Sequence, residues 1–383
     1  MELPDWNPGP PGLYIHVPFC RSKCGYCSFY SVDTLHDLPS FLEDLPKEMS
    51  LYEAQFEPFD TLYIGGGTPS LIKTDDLKIL FEAIDQAFPF CGNREVTIEV
   101  NPSDVDLAYL DALRSLGVNR LNIGVQSFND RILSFLGRRH NAVDAYAAVT
   151  AALAAGFDNI GIDLIYGIPG QELSQWIDTL NRALSLNIAH LSCYQLTLEK
   201  GIPLREHLEK SGALLPSERL QREFFLETSD RLESAGYIHY EVSNFAKGEH
   251  RASRHNIKYW NHTPYLGLGP SAHSYTAGKR WWNSRSVRGY MDRIGVGVIP
   301  VESSETLTLE QLRLEALFLG LRTRWGIHLP DFSSRFKCDL LEEKREALDK
   351  LTGDGFLTID REFLRPTRAG MAVADGIASF LFI

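Results

Sequence analysis

Leu13-Tyr14-Ile15-His16-Val17 runs through Pro18-Phe19 straight into Cys20-Arg21-Ser22-Lys23-Cys24-Gly25-Tyr26-Cys27. An apolar stretch suited to a buried strand thus ends in a C-x3-C-x2-C triplet. The other three cysteines, Cys91, Cys193 and Cys338, stand singly and read as small buried apolar residues. Clustering of this kind in a chain without a secretory pattern reads as metal ligation, not as a disulfide framework. Three thiolates can hold three irons of a [4Fe–4S] cluster and leave the fourth iron open to a small ligand. Structural zinc would want four protein ligands, and no nearby fourth Cys or His completes such a set; His16 precedes the triplet but reads as a packed strand residue.

Outward from the triplet, strand-like runs alternate with helical patterns. Leu13–Val17, Thr61–Ile64, Val96–Val100, Arg120–Val125, Ile160–Tyr166 and His190–Leu196 are the strands; the helices lie around 40–55, 74–88, 103–116, 142–155 and 172–187. Regular βα repetition with apolar strands predicts an α/β fold with a parallel sheet covered by helices. Six units suit a partial, TIM-like (β/α)6 barrel, with an open doubly wound sheet as the alternative. Past Gly201 the pattern changes. A helix around 217–235 leads into Ile238–Phe245, and a Gly-, Asn-, Tyr- and Trp-rich stretch follows to about 295, as a sheet extension and a site loop. Helices at Leu307–Leu321 and Leu340–Leu351, then a hairpin from Phe356–Ile359 and Phe363–Leu364, predict a winged-helix-like α+β module. The expected division is a lead-in at 1–12, the barrel with its sheet extension at 13–245, a connecting region at 246–300 and the C-terminal module at 301–383.

Hydrophobic residues at 44% and charged residues at 23% exclude collagen-like, disordered and disulfide-scaffold classes. Lys and Arg number 38 against 50 Asp and Glu, a net charge of −12, which argues against a nucleic-acid-binding surface. The short basic run Arg138-Arg139-His140 reads on charge alone as a solvated turn. Ala145 to Phe157, the longest nearly uncharged run, is far short of the ~20 apolar residues a membrane span needs. Met1-Glu2-Leu3-Pro4-Asp5 lacks the basic and apolar regions of a leader, so the cytoplasm is the expected compartment.

Polar residues recur at the ends of successive strands, where a parallel β/α barrel builds its site. Strand two ends in Gly65-Gly66-Gly67-Thr68-Pro69, whose bare backbone allows close approach and offers N–H or C=O groups. Strand three ends in Glu99-Val100-Asn101-Pro102, with two polar side chains on one face. Strand four ends at Gln126, with Arg138 twelve residues on, and strand five carries Asp163, a charge that burial penalises unless it is paired.

Together with Tyr14-Ile15-His16-Val17-Pro18-Phe19-Cys20, these motifs resemble the radical S-adenosylmethionine (SAM) superfamily, over nearly the whole chain. More narrowly they are similar to the HemN/HemW branch, which contains oxygen-independent coproporphyrinogen III dehydrogenases and related heme chaperones. The resemblance implies that Cys20, Cys24 and Cys27 hold a [4Fe–4S] cluster. It implies too that Gly66, Gly67 and Thr68 meet the methionine part of SAM, and that Glu99, Gln126, Arg138 and Asp163, with Tyr14, Tyr26 and Gln195, complete the SAM site. In such proteins the reduced cluster cleaves SAM to methionine and a 5′-deoxyadenosyl radical. The dehydrogenases carry a fourth Cys two positions after the third and a longer N-terminal extension; here Ser28 and Phe29 follow Cys27, and twelve residues precede Leu13.

His255-Asn256-Ile257-Lys258-Tyr259-Trp260 matches the HNxxYW segment of the heme-chaperone subgroup. His255, Asn256, Tyr259 and Trp260 are therefore expected at heme, since imidazole ligates iron and rings cover the macrocycle. His250, His262 and His273 flank the segment and leave the axial ligand open. The implied function is a heme chaperone that delivers heme to respiratory apoproteins, membrane-bound acceptors and peripheral membrane association included. A flavodoxin or ferredoxin reductant and a monomer or cluster-dependent dimer belong to the same expectation. Coproporphyrinogen III dehydrogenation is the first alternative, and another radical SAM activity such as methyl transfer the second; whether the chain catalyses a reaction at all stays open.

Overall fold

The computed structural model describes residues 9–53 and 55–382; most of the expected lead-in at 1–12 lies outside them. The repeating half runs β1 (Gly12–Val17), α1 (Leu38–Ser50), β2 (Phe59–Gly66), α2 (Thr74–Ala87), β3 (Phe90–Val100) and α3 (Leu107–Ser115). It continues through β4 (Arg120–Gln126), α4 (Asp130–Phe135), α5 (Ala142–Ala154), β5 (Ile160–Tyr166), α6 (Leu173–Ser185) and β6 (His190–Gln195). Neighbouring strands from β1 to β6 pair in parallel and in sequence order, as a partial βα barrel requires.

Strand alternation sorts the faces. Leu13, Ile15 and Val17 are fully buried toward the helices, as are Leu62 and Ile64, Ile98, Leu121 and Ile123, and Ile162 and Leu164. The opposite face carries polar side chains. Helix starts follow ordinary capping chemistry: Asn141 and Asp144 form a capping box on α5, and Thr308 and Gln311 form one on a later helix.

After β6 come α7 (Pro203–Ser211), α8 (Glu218–Ser234), β7 (Ile238–Glu241), β8 (Asn244–Ala246), α9 (Arg254–Trp260), β9 (Tyr265–Leu268), β10 (His273–Thr276) and β11 (Lys279–Asn283). Strands β7 and β8 extend the sheet beyond β6, while β9 returns to pair in parallel with β1. Helix α10 (Val287–Gly295) precedes β12 (Val301–Thr306), and the finished sheet of twelve strands runs β12-β11-β10-β9-β1-β2-β3-β4-β5-β6-β8-β7.

The stretch after Phe245, read as a sheet extension and a site loop, does supply one flank of the sheet, and its HNxxYW segment, expected as a loop, is helix α9. Val301–Thr306 pairs with β11, so the sheet reaches past the expected start of the C-terminal module at 301. That module packs around its own core, from Leu312 and Leu317 to Ile377 and Leu381. It consists of α11 (Leu309–Gly320), β13 (Ile327–His328), α12 (Leu329–Phe336), α13 (Leu340–Glu343), α14 (Arg345–Gly353), β14 (Leu357–Ile359), β15 (Phe363–Pro366), α15 (Arg368–Met371) and α16 (Ala374–Phe382). Its three strands form an antiparallel wing in the order β13-β15-β14.

One buried carboxylate ties the flank to the barrel. Glu48 of α1, wholly buried, accepts from the Gly269 N–H at 2.8 Å, Asn283 Nδ2 at 2.6 Å and the Tyr290 hydroxyl at 2.7 Å. Burial pushes its carboxyl up to about 7 against those three bonds. Glu48→Ala removes the acceptor of three buried donors, of which Asn283 Nδ2 keeps only Gly269 O, and is expected to destabilise the protein by roughly 3–5 kcal/mol in a denaturant titration. A loss under about 1 kcal/mol would show that the anchor contributes little.

Candidate functional site

The inner face of the parallel sheet and the loop after β1 enclose a cavity of about 390 Å3. Cys20, Cys24 and Cys27 line it from one side. Their loop is held by backbone bonds: Cys20 N–H to Val32 O at 2.9 Å, Val32 N–H to Pro18 O at 2.7 Å, and Leu204 N–H to Gly25 O at 2.9 Å. All three thiols are free and half-buried. Among the described residues no three His, Cys, Asp or Glu side chains are grouped to hold a single metal ion. Three thiols around one cavity, without a fourth ligand, suit a polynuclear cluster in which each thiolate takes its own iron. Burial raises the Cys27 thiol; the Phe29 backbone N–H partly offsets it, and the neighbouring Cys24 and Cys20 raise it further. A cationic centre is what would draw those protons off.

Next to the thiols the Gly65–Thr68 turn is packed tightly. A Cβ on Gly66, whose φ is +107°, would meet the His16 ring at 2.5 Å, and one on Gly67 would meet Phe19 O at 2.6 Å and Val17 O at 2.7 Å. These glycines let the turn lie against β1, which is a packing role. The N–H groups of Gly66, Gly67 and Thr68 bond Glu99 Oε2 at 3.1 Å, Val17 O at 2.8 Å and Phe19 O at 2.8 Å. Of the two backbone groups expected to face a ligand, N–H is therefore already committed here, and carbonyl oxygen is what could receive an ammonium. Thr68 Oγ1 donates to Cys20 Sγ at 3.4 Å.

The sheet's inner face supplies the charge. Glu99 accepts from the Tyr63 hydroxyl at 2.8 Å, and Asp163 Oδ2 accepts from Asn122 Nδ2 at 2.8 Å. Burial lifts Glu99 to about 7, and the Asp163 charge adds to it. Asp163 rises to about 6, again by burial, with bonds from Ser192 and Asn122 pulling the other way. Its Oδ1 is buried without a partner, as is Nε of Arg138. Arg138 donates from Nη2 to Gly124 O at 2.7 Å and from Nη1 to Cys24 Sγ at 3.4 Å, which bridges β4 to the thiol loop. At the end of β4 the ladder slips between Ile123 and Gln126, and Gln126 takes φ +65°, a strained conformation for a residue with a Cβ.

The cavity thus brings together Cys20, Cys24, Cys27, Tyr26, Gly66, Gly67, Thr68, Glu99, Gln126, Arg138, Asp163 and Gln195 from the sequence expectation. Tyr14 is not on its wall. It does share the inner parity of β1, but its hydroxyl bonds His16 Nδ1 at 2.9 Å and its ring lies against Tyr63 and His255. His16 is buried between Tyr14 and Tyr30 O, the packed role expected of it.

The HNxxYW residues are dispersed rather than gathered on one face. His255 is wholly buried: Nδ1 pairs with Thr61 Oγ1 at 2.8 Å and Nε2 with the Tyr259 hydroxyl at 2.9 Å. Burial lowers its imidazole to about 3, with the Lys258 charge second. Axial ligation by His255 would require leaving that core. Asn256 reaches the thiol cavity, whereas Tyr259 lines a second cavity of about 270 Å3 and Trp260 lies under Arg322. Glu95 caps the start of α9 by accepting from the N–H groups of Arg254 and His255, and Asp60 pairs with Arg254 and Lys258, each at 2.6 Å.

Tyr63, Arg120, Asn122 and Ser192 also line the thiol cavity and were missed by the motif reading. The signal was available in Arg120-Leu121-Asn122-Ile123-Gly124-Val125-Gln126, where every second residue of a buried strand is polar or glycine.

Residues 14–183 match the radical SAM superfamily and residues 307–373 the HemN C-terminal domain. The chain is 34% identical over 372 residues to the heme chaperone HemW of Lactococcus lactis, covering 96% of each. It is 32% identical over 392 residues to the heme chaperone HemW of Mycobacterium tuberculosis, covering 100% of this chain and 98% of that one. The structure of coproporphyrinogen III oxidase (HemN) from Escherichia coli matches with a TM-score of 0.83 over 97% of this chain and 90% of that one. Its sequence is 24% identical, a likeness of fold.

Two outcomes test the cavity. Ala in place of Cys20, Cys24 or Cys27 is expected to abolish iron retention after anaerobic reconstitution, measured as bound iron per chain; unchanged iron would remove that thiol from the ligand set. Glu99→Gln probes the carboxylates. A carboxyl raised on folding binds more protons folded than unfolded between pH 4.5 and about 7, so its contribution to stability falls as pH rises through that window. The variant is expected to gain roughly 1–3 kcal/mol on the wild-type protein at pH 8 relative to pH 5. Melting differences independent of pH would contradict the raised carboxyl.

Proposed function

The chain belongs to the HemW family of the radical SAM superfamily, and on that premise we propose that it is a heme chaperone that takes up heme and passes it to respiratory heme proteins. The observation that carries this reading is the extent of its likeness to relatives bearing that name, 34% identity over 96% of both chains. Family membership implies a [4Fe–4S] cluster and SAM. Cys20, Cys24 and Cys27 would hold the cluster, which supplies one-electron reduction of SAM when both are bound.

The protein's own residues fit SAM by donor chemistry. Glu99 and Asp163 suit ribose hydroxyls or the ammonium group, the unpartnered Asp163 Oδ1 being an acceptor without a donor. Arg138 suits the carboxylate, with Nε still unpaired. Gln126, Tyr26 and Gln195 border the same space, and the Gly66–Thr68 turn offers carbonyl oxygen. A ligand that displaces water from around these groups would strengthen each of their interactions.

Heme is the cargo, and α9 is its place in the fold: this helix contributes Asn256 to one cavity and Tyr259 to the other. Acceptors would be apo-heme proteins, membrane-bound ones included, and the cluster would be reduced by a flavodoxin or ferredoxin. No described helix is long and apolar enough to cross a membrane, which suits transient peripheral docking. A monomer or a cluster-dependent dimer completes the proposal, as do the barrel with its flanks and the C-terminal module as functional units.

Coproporphyrinogen III dehydrogenation remains the second reading, favoured by the fold match. Against it, Ser28 and Phe29 stand where a fourth Cys would follow Cys27, and Phe29 is exposed at the cavity mouth. Hemin titration of the anaerobically reconstituted protein, followed at the Soret band, is expected to saturate near one heme per chain. Coproporphyrinogen III with SAM and a reductant is expected to yield no protoporphyrinogen. Turnover without saturable heme binding would reverse the two readings.

A further inference from the structure

The basic run Arg138-Arg139-His140, which reads on charge alone as a solvated turn, is instead held inward at all three positions. Arg138 crosses to Gly124 O and Cys24 Sγ. His140 is buried, with Nε2 against Val125 O at 2.9 Å. Arg139 donates from Nη2 to Asp104 Oδ2 at 2.5 Å, and the Asp104 side chain is only 4% exposed. That carboxylate serves a second cation, since Arg21 Nε lies 3.4 Å from its other oxygen.

Asp104 itself stands on firm backbone. It closes the short turn Pro102–Asp104 directly after β3, the strand that carries Glu99. The Asn101 side chain accepts from Ser103 N–H at 3.1 Å, Asp104 N–H bonds Asn101 O at 2.9 Å, and Asn101 N–H bonds Ser70 Oγ at 3.1 Å. The carboxylate is thus a fixed point against which less constrained segments can be set.

The span between the first two thiols is such a segment. Cys20 and Gly25 are tied by backbone bonds to Val32 and Leu204, but residues 21–23 between them make no backbone hydrogen bond among the described residues. The Arg21–Asp104 pair is what holds this span. The segment after α4 is the other: Arg138 bridges to Cys24, and its neighbour Arg139, on the wall of the thiol cavity, is the residue Asp104 grips. One buried carboxylate therefore joins three parts of the site, which are the end of β3, the thiol span and the arginine pair. Without its charge, two guanidiniums would be left as like charges facing one neutral group, and the thiol span and the arginine pair would repel each other.

Resting on the cluster and SAM assignment above, we infer that Asp104 is a positioning residue for SAM: through Arg21 it fixes the span between two cluster thiols, and through Arg139 it fixes the fork of Arg138, so that cluster and guanidinium meet the methionine part of SAM in register. In this role Asp104 touches neither iron nor SAM.

The test is SAM binding to the full-length, anaerobically reconstituted protein by equilibrium dialysis, with electron paramagnetic resonance of the reduced cluster before and after SAM as the second readout. Asp104→Asn should retain bound iron yet weaken SAM by roughly fivefold or more and blunt the spectral change that SAM induces. Asp104→Glu, which keeps the charge, should recover most of both. Arg139→Gln should also cost SAM affinity, and combining it with Asp104→Asn should add less than about twofold, because both remove one contact. Wild-type affinity and spectral response in Asp104→Asn, or losses that multiply in the double variant, would overturn the positioning role while leaving the SAM site in place. If Asp104→Asn retains no iron, Arg139→Gln decides alone: weaker SAM binding with iron retained supports the role, and unchanged binding overturns it. A wild-type protein that holds iron but binds no SAM would overturn the SAM reading and this inference together.

Discussion

Two carboxylates held on the inner face of one parallel sheet set the terms for the rest of this structure. Burial pushes Glu99 to about 7, with the Asp163 charge adding to it, and Asp163 to about 6, so the fold stabilises charge there only by surrounding it with donors. Tyr63, the Gly66 N–H, Asn122 and Ser192 are those donors, and they come from three different strands, β2, β4 and β6. Strand register therefore matters as much as residue identity: Glu99 pairs with Asn122, and Asp163 with Ser192. A slip of one residue would turn every inner polar group toward the helices. Arg120, on the same face, lowers both carboxyls without cancelling their burial.

Much of the barrel was legible because local chemistry agreed with global topology. Each of the six strands falls where the apolar runs placed it, and polar residues at strand ends pointed to the cavity. What was not legible depended on non-local pairing. Strand β9 is four residues, Tyr265–Leu268, in a Gly- and Tyr-rich stretch, and nothing in it announces that it pairs with β1, some 250 positions earlier. Tyr14 shows the same limit at one residue: its parity on β1 was right for the inner face, but the burial of that face under His255 of α9 depends on a chain segment far away.

The HNxxYW segment shows how residues that are close in sequence are set apart by the fold. A histidine among large aromatics suits a ligand site and an aromatic core about equally well on composition. Its neighbours decide. Glu95, midway along β3, and Asp60, at the start of β2, cap and clamp α9, and Thr61 takes the imidazole. The helix is thereby fixed against the sheet as a wall with a different side chain in each cavity. Residues that read as one cluster in sequence are divided by the helical period, Asn256 to one side and Tyr259 to the other.

The thiol cavity concentrates features that cost stability. Gln126 is left-handed, Asp163 and Arg138 each keep a buried atom unpartnered, and Cys27 is disfavoured as a thiolate by burial and by its neighbours. None of these improves the packing, and the continuous core between sheet and helices, built from residues such as Trp176, Leu180 and Phe224, must offset them. The last three would be relieved by a cluster and a zwitterionic ligand: thiolates would gain irons, carboxylates an ammonium or hydroxyls, and Arg138 a carboxylate. Unmet acceptor and donor gathered in one cavity mark a site completed by what it binds. The second cavity has a different balance. There Glu315 already satisfies both Arg280 and His262, so what it stores is a set of replaceable contacts rather than unmet ones.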